Sequence, residues 1–257
     1  MLSFKPLIII VVMEFKIPTE VVELPSKGLL YPKDSPLSKG EIEMKHMTAR
    51  EEDILTNRNF IEKGIAVDRL LKALITTPKV DYDEILEGDR AALLIAARIV
   101  SYGKDYEVEY KGKKITIDLS KIEAKKIDYS LLESGNNFSF VLPNSKLPIT
   151  FKLLNHRDTV LIEQEVEGLA KISKELSGSS TVRLKKIITS VNGDSSPSTI
   201  KEFVEKGFMA TDVRALRKEY ARVSPDVDMN IRMDIDGIEE DVEVPIDITF
   251  FWPDARI

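Results

Sequence analysis

Apolar side chains along the chain follow two rhythms, one of about three and a half residues and one of two, which divide the sequence between helices and strands. In residues 58–75, Val67, Leu70, Leu71, Leu74 and Ile75 recur at helical spacing until Pro78 ends the run. Residues 81–86 read as a short helix. Residues 91–100 are apolar on nearly every side, broken by Arg98, as a buried helix is. Asp89 is expected to cap that helix and Gly103 to end it, while Ala91, Ala92, Ala96 and Ala97 leave room for a second helix to approach. Period two then takes over. Tyr106, Val108 and Tyr110, a turn at Lys111-Gly112-Lys113, and Ile115, Ile117 and Leu119 predict a β-hairpin. A second hairpin is expected from Phe138, Phe140 and Leu142 to Leu147, Ile149, Phe151 and Leu153, and its aromatic side is expected in a core. Residues 121–137 carry no clean period.

Helical spacing returns over residues 156–174, and the serine-rich residues 176–180 read as a linker. Residues 182–191 fit a helix slightly better than a strand. Ser196 or Ser198 opens another helix with Pro197 in its first turn, and Thr211 is expected to cap the next, which Ser224-Pro225 stops. The last segment alternates from Val227 to Ile235, turns at Asp236-Gly237 and alternates again from Val242 to Phe250, a hairpin whose return strand contains Pro245 and so belongs at an edge. The fold class is α+β, helical clusters with short antiparallel β-hairpins. Residues 1–23 form an extension, 24–176 an arm with helices and hairpins, 177–181 a link, and 182–257 the closing helices, hairpin and aromatic tail.

Residues 24–57 punctuate the chain most densely. Leu29, Leu30 and Tyr31 stand between Pro25 and Pro32, whose fixed φ and missing N–H hold a chain out of a helix, so an extended arm is expected. Turns at Asp34-Ser35-Pro36 and Lys39-Gly40 follow, then a strand over residues 41–47. Thr48 and Glu51 make a capping box, with Glu51, Glu52 and Asp53 at the positive end of the helix dipole. The order LPSKGLLYP, turn, strand, MTAREEDILTN resembles the baseplate hub protein family of T-even-type bacteriophages. The resemblance continues through GKDYEVEY, LKKIITSVNGD, VRALRKEYARVSPDVD and the terminal FFWPD. These are packing and contact motifs. The resemblance implies a virion or assembly role and carries over no active site.

Composition narrows the rest. The chain has 257 residues, no cysteine, and 37 basic against 43 acidic residues, a net charge of −6 with the signs interspersed. Disulfides and thiolate metal sites are excluded, and the mild acidity argues against wrapping nucleic acid. Lys111, Lys113 and Lys114 read as a solvated turn. The apolar residues 7–12 are too short to span a membrane, which takes about twenty residues. Since the family-like sequence starts near Met13, residues 1–12 read as a start codon set too early, with a β-prone tail that joins a neighbour's sheet as the other reading. His156-Arg157-Asp158 repeats the tripeptide of the protein-kinase catalytic loop, but Glu163 stands where a metal-binding Asn belongs. Glu163 and Glu167 share a helix face as exposed acids commonly do. No phosphate loop, zinc-hydrolase motif or nucleophile elbow occurs.

The expected function is therefore a structural or assembly component of the baseplate hub of a contractile-tailed phage. It is expected to have no enzymatic activity, cofactor, metal, nucleic acid, membrane or small-molecule substrate. Its partners would be other baseplate and tail proteins, in the virion tail and, during assembly, the host cytoplasm. The alternative is a cytosolic tail-assembly chaperone absent from the mature particle. Leu29, Leu30 and Tyr31 of the arm, and Phe251 and Trp252 of the tail, are the expected partner-binding residues, aromatic anchors being enriched at interfaces.

Overall fold

The computed structural model describes residues 16–132, 135–172, 178–246 and 250–251. Residues 1–12, Leu176 and Ser177 of the serine-rich link, residues 247–249 and Trp252 lie outside them. A strand not foreseen in the sequence, β1 (Thr19–Glu23), pairs antiparallel with β2 (Glu41–Lys45) from Thr19↔Lys45 to Glu23↔Glu41. Ile42 and Met44 turn inward while Glu41 and Glu43 stay outside, the alternation of a half-buried sheet. The capping box at Thr48 opens α1 (Ala49–Thr56). The single helix expected over residues 58–75 is two, α2 (Arg58–Glu62) and α3 (Ala66–Leu74), because Gly64 takes a left-handed φ of 67° between them. Leu70, Leu71 and Leu74 of α3 are fully buried, each contributing about 1.5–3 kcal/mol.

Residues 81–86 form only a 3-10 turn, Tyr82–Glu84, before α4 (Glu87–Tyr102). Asp89 does not cap α4: the helix starts two residues earlier, and Asp89 sits in its first turn with its carboxylate buried. Gly88 lets that turn meet the segment after the last helix, since a Cβ at Gly88 would lie 2.0 Å from the Pro225 carbonyl oxygen. Gly103 ends α4 as expected. Two hairpins follow, β3 (Asp105–Tyr110) with β4 (Lys113–Asp118), and β5 (Phe138–Val141) with β6 (Pro148–Phe151). Between them residues 121–137 hold 3-10 turns and a bridge from Ala124 to Val227.

After α5 (His156–Ile172), residues 182–191 divide between two elements. They supply most of α6 (Ser179–Ile187) and then β7 (Ile188–Val191), which joins β6 to complete a three-stranded sheet. Four residues suffice for β7 because both Ile188 and Val191 are buried against that sheet. Next come α7 (Pro197–Glu202), capped by the Ser196 side chain and continued by a π-helical turn, Phe203–Gly207, and α8 (Ala210–Val223), whose N-cap position is Met209 rather than Thr211. The closing hairpin is β8 (Asn230–Ile235) with β9 (Ile238–Glu243). The described elements make the fold α+β. Elements on both sides of the serine-rich link share one sheet and one cluster of buried residues. Tyr106, Phe138 and Phe151 lie in that core as expected, while Tyr110 and Phe140 pack against it half-buried.

Candidate contact surface

The arm is not extended. Lys27 and Gly28 both take left-handed φ, 51° and 75°, and three successive turns fold residues 24–31 back on themselves. Lys27 N–H donates to Leu24, Leu29 N–H to Ser26 and Tyr31 N–H to Gly28, while Leu24 N–H donates to Gly40 and closes the loop. The two prolines keep helix out, as expected, but they do not dictate a straight chain. A Cβ on Gly28 would lie 2.4 Å from the Ser38 carbonyl oxygen, so the crossing of the two turns requires glycine there.

What anchors the loop is Asp89. Its carboxylate accepts from the Ser26 N–H at 2.8 Å, the Ser26 hydroxyl at 2.6 Å and the Tyr31 hydroxyl at 2.6 Å. The Tyr31 oxygen in turn accepts the Leu86 N–H at 2.9 Å, one of the donors that the start of α4 leaves free. Burial pushes the Asp89 carboxyl up, against the pull of the hydrogen bonds from Ser26 and Tyr31. Burial, followed by the charge of Asp89, drives the Tyr31 phenol far above its usual range.

Leu30 and Tyr31, expected to face a partner, therefore point into the chain's own core, where Leu30 is 4 % and Tyr31 9 % exposed. Leu29 is 42 % exposed, so it is the arm residue that the surface offers. At the other end Phe251 is buried, its ring T-shaped against Phe250 at 5.2 Å, and Phe250 packs the same way on Tyr106. Beside the arm, a cleft of about 530 Å³ runs between the turn loop and α4. Ala92, Ile95, Ala96 and Ile99 line it on the helix side, so two of the alanines expected to admit a second helix border open space. Its charges balance, Lys27 and Lys39 against Glu23 and Glu41, with Lys27 held 3.9 Å over the Tyr129 ring. Among the described residues β1 pairs only with β2, leaving its outer edge and the exposed Val21 open.

The titratable groups are tied into the scaffold. His156, Arg157 and Asp158 diverge: His156 faces Asp68 at 3.5 Å, Arg157 reaches Asp81 and Glu84, and Asp158 holds Lys152 at 2.7 Å. Asp68 also accepts from Tyr82 at 2.8 Å and Arg90 at 2.6 Å, joining α3, α4, α5 and the 3-10 turn at one point. Burial keeps His156 below its usual pKa although the Asp68 charge opposes it. Lys111 and Lys113 do not stand free in a solvated turn; they pair with Glu240 and Asp236, locking the tip of the β3–β4 hairpin to that of the last hairpin. Sequence reading missed that pairing, although KGKK and DGIEED carry opposite charge in two predicted hairpin turns. Among the described residues no cluster of His, Asp and Glu could hold a metal ion, and no helix is long and apolar enough to cross a membrane.

Leu29 and the outer edge of β1 are thus exposed on a scaffold braced by Asp89. No curated protein and no solved structure matches the chain. A family model does: that of the T4 bacteriophage base plate protein matches residues 18–252, from the residue before β1 to the tryptophan of the aromatic tail. The chain belongs to that family, which makes it a structural protein of the phage tail baseplate.

Proposed function

We propose that this protein is a hub-type component that stays in the finished baseplate and acts through contacts with neighbouring tail proteins. The observation that carries the reading is the span of the family match, which takes in both the arm and the aromatic tail as parts of one unit. The hub assignment within the baseplate rests on the LPSKGLLYP and FFWPD resemblance. Leu29 on the braced loop and Trp252 beyond the buried Phe251 are the side chains through which contact is made. Leu30 and Tyr31 serve that contact from within, by fixing the loop that carries Leu29. The test is mass spectrometry of purified particles together with labelled antibody on tail tips. Stoichiometric recovery and label at the centre of the baseplate are expected. A protein abundant in infected cells but missing from particles would be the assembly chaperone instead, and label at the baseplate periphery would overturn the hub assignment.

A further inference from the structure

A second cleft of about 530 Å³ opens between α5, α6 and α8, and its chemistry differs from that of the arm cleft. Its floor is apolar: Ile162, Leu184, Ile187 and Leu216, with the ring of Tyr220. The charged side chains that line it are both arginines, Arg183 and Arg217, and no acid joins them. Arg183 is fixed by Glu87, which accepts from its two terminal nitrogens at 3.1 and 2.6 Å. Arg217 is exposed, donates to the Ser180 hydroxyl at 2.5 Å, and has no carboxylate within 4 Å among the described residues. With Arg183 already paired to Glu87, the charge free to select a ligand at this apolar cleft is, among the described residues, that of Arg217. Its volume lies within the range that takes several side chains at once.

We infer that this cleft receives a segment of another phage polypeptide in which a large apolar side chain stands beside an aspartate or glutamate. The apolar group fills the floor between α5, α6 and α8, and the carboxylate meets the guanidinium of Arg217, whose planar fork suits it. A lone small anion would leave the floor unfilled, and a neutral apolar segment would leave Arg217 without a counterion. The inference rests on the proposed function only for where the segment comes from.

The probe is a set of fluorescent twelve-residue peptides tiling the phage late proteins, this chain included, titrated against the full-length protein. Peptides with Leu, Ile or Phe next to Asp or Glu are expected to bind. Arg217→Glu and Ser180→Glu, both at exposed rim positions, should each weaken them at least tenfold without changing the melting temperature, and replacing the peptide's acid with Lys should restore binding to R217E. Binders without an acid, binding indifferent to both variants, preferential binding of peptides from this chain, or no binding at all would each overturn the inference. Those failures leave the hub reading standing if the protein is found in particles. Conversely, a genuine binder drawn from a protein absent from particles upholds the cleft while pointing away from the finished baseplate.

Discussion

Two buried carboxylates, Glu51 and Asp89, hold local structure through the hydrogen bonds they accept. Thr48 and Glu51 lie three apart, so their capping box could be read directly, and the structure adds Lys45, whose ammonium reaches the same carboxylate at 2.8 Å. Burial alone would raise the Glu51 carboxyl, but the hydrogen bonds from Lys45 and Thr48 outweigh it and hold it at about 2, against an ordinary 4.5. A carboxyl depressed on folding adds stability that is complete above its unfolded pKa and disappears as pH falls through its folded one. For Glu51 that amounts to about 2–3 kcal/mol, lost between about pH 4.5 and pH 2. Glu51→Gln should therefore lower the urea-unfolding free energy by about 2 kcal/mol at pH 7. The gap from the wild type should narrow steadily below pH 4.5, and a gap unchanged down to pH 3 would refute the assignment. Asp89 is the opposite case. Its partner Ser26 is 63 residues away, and nothing in a period or a spacing connects them. An isolated Asp before an apolar helix looks like a cap, and only the folded chain shows it turned inward.

Elements were legible where a turn and the apolar period agreed, as in the β3–β4 hairpin, the Asp236-Gly237 turn of the last hairpin and the Gly103 end of α4, whereas the return strand expected over residues 242–250 runs Ile238–Glu243 and leaves Pro245 beyond it. Reading failed where tertiary pairing decides. β7 is a strand because β6 offers it an edge, and the arm is coiled because Asp89 gives Ser26 and Tyr31 a shared acceptor. Asp89 therefore couples two elements, the loop of residues 24–31 and the first turn of α4. Removing its carboxylate leaves the Ser26 N–H, the Ser26 hydroxyl and the Tyr31 hydroxyl buried without that acceptor, a loss of about 3–5 kcal/mol on the scale of broken buried charged networks. Asp89→Ala should destabilise the protein by that amount, and amide hydrogen exchange should speed up at Ser26 and Leu86 before the rest of the core. If exchange rises uniformly, Asp89 supports the global fold and not this junction. Tyr31→Phe, which removes one donor to Asp89 and the acceptor of the Leu86 N–H, should show the same local pattern at smaller cost.

At the scale of the whole molecule, elements on the two sides of the serine-rich link interlock. β6 pairs with β7, Glu87 holds Arg183, and the segment after α8 lies against Gly88. The two ends that the sequence offered as contact points are also drawn in, the arm through Tyr31 and the tail through Phe250 and Phe251. Three consecutive aromatics cannot all serve one core from a strand. Phe250 and Phe251 both reach it because the chain turns there, in a 3-10 residue followed by a turn. Trp252, the single tryptophan of the chain, lies outside the described residues, and it is the tail residue we propose for contact. The two neighbours should therefore fail differently. Phe251→Ala removes a ring that is 2 % exposed and should cost about 3–5 kcal/mol, lowering the melting temperature of the purified protein. Trp252→Ala should leave that temperature within a degree or two and instead reduce incorporation into particles, measured by quantitative mass spectrometry of tails grown with each variant. Should Trp252→Ala melt as early as Phe251→Ala, the tryptophan is one more core residue, and Leu29 becomes the contact point to pursue.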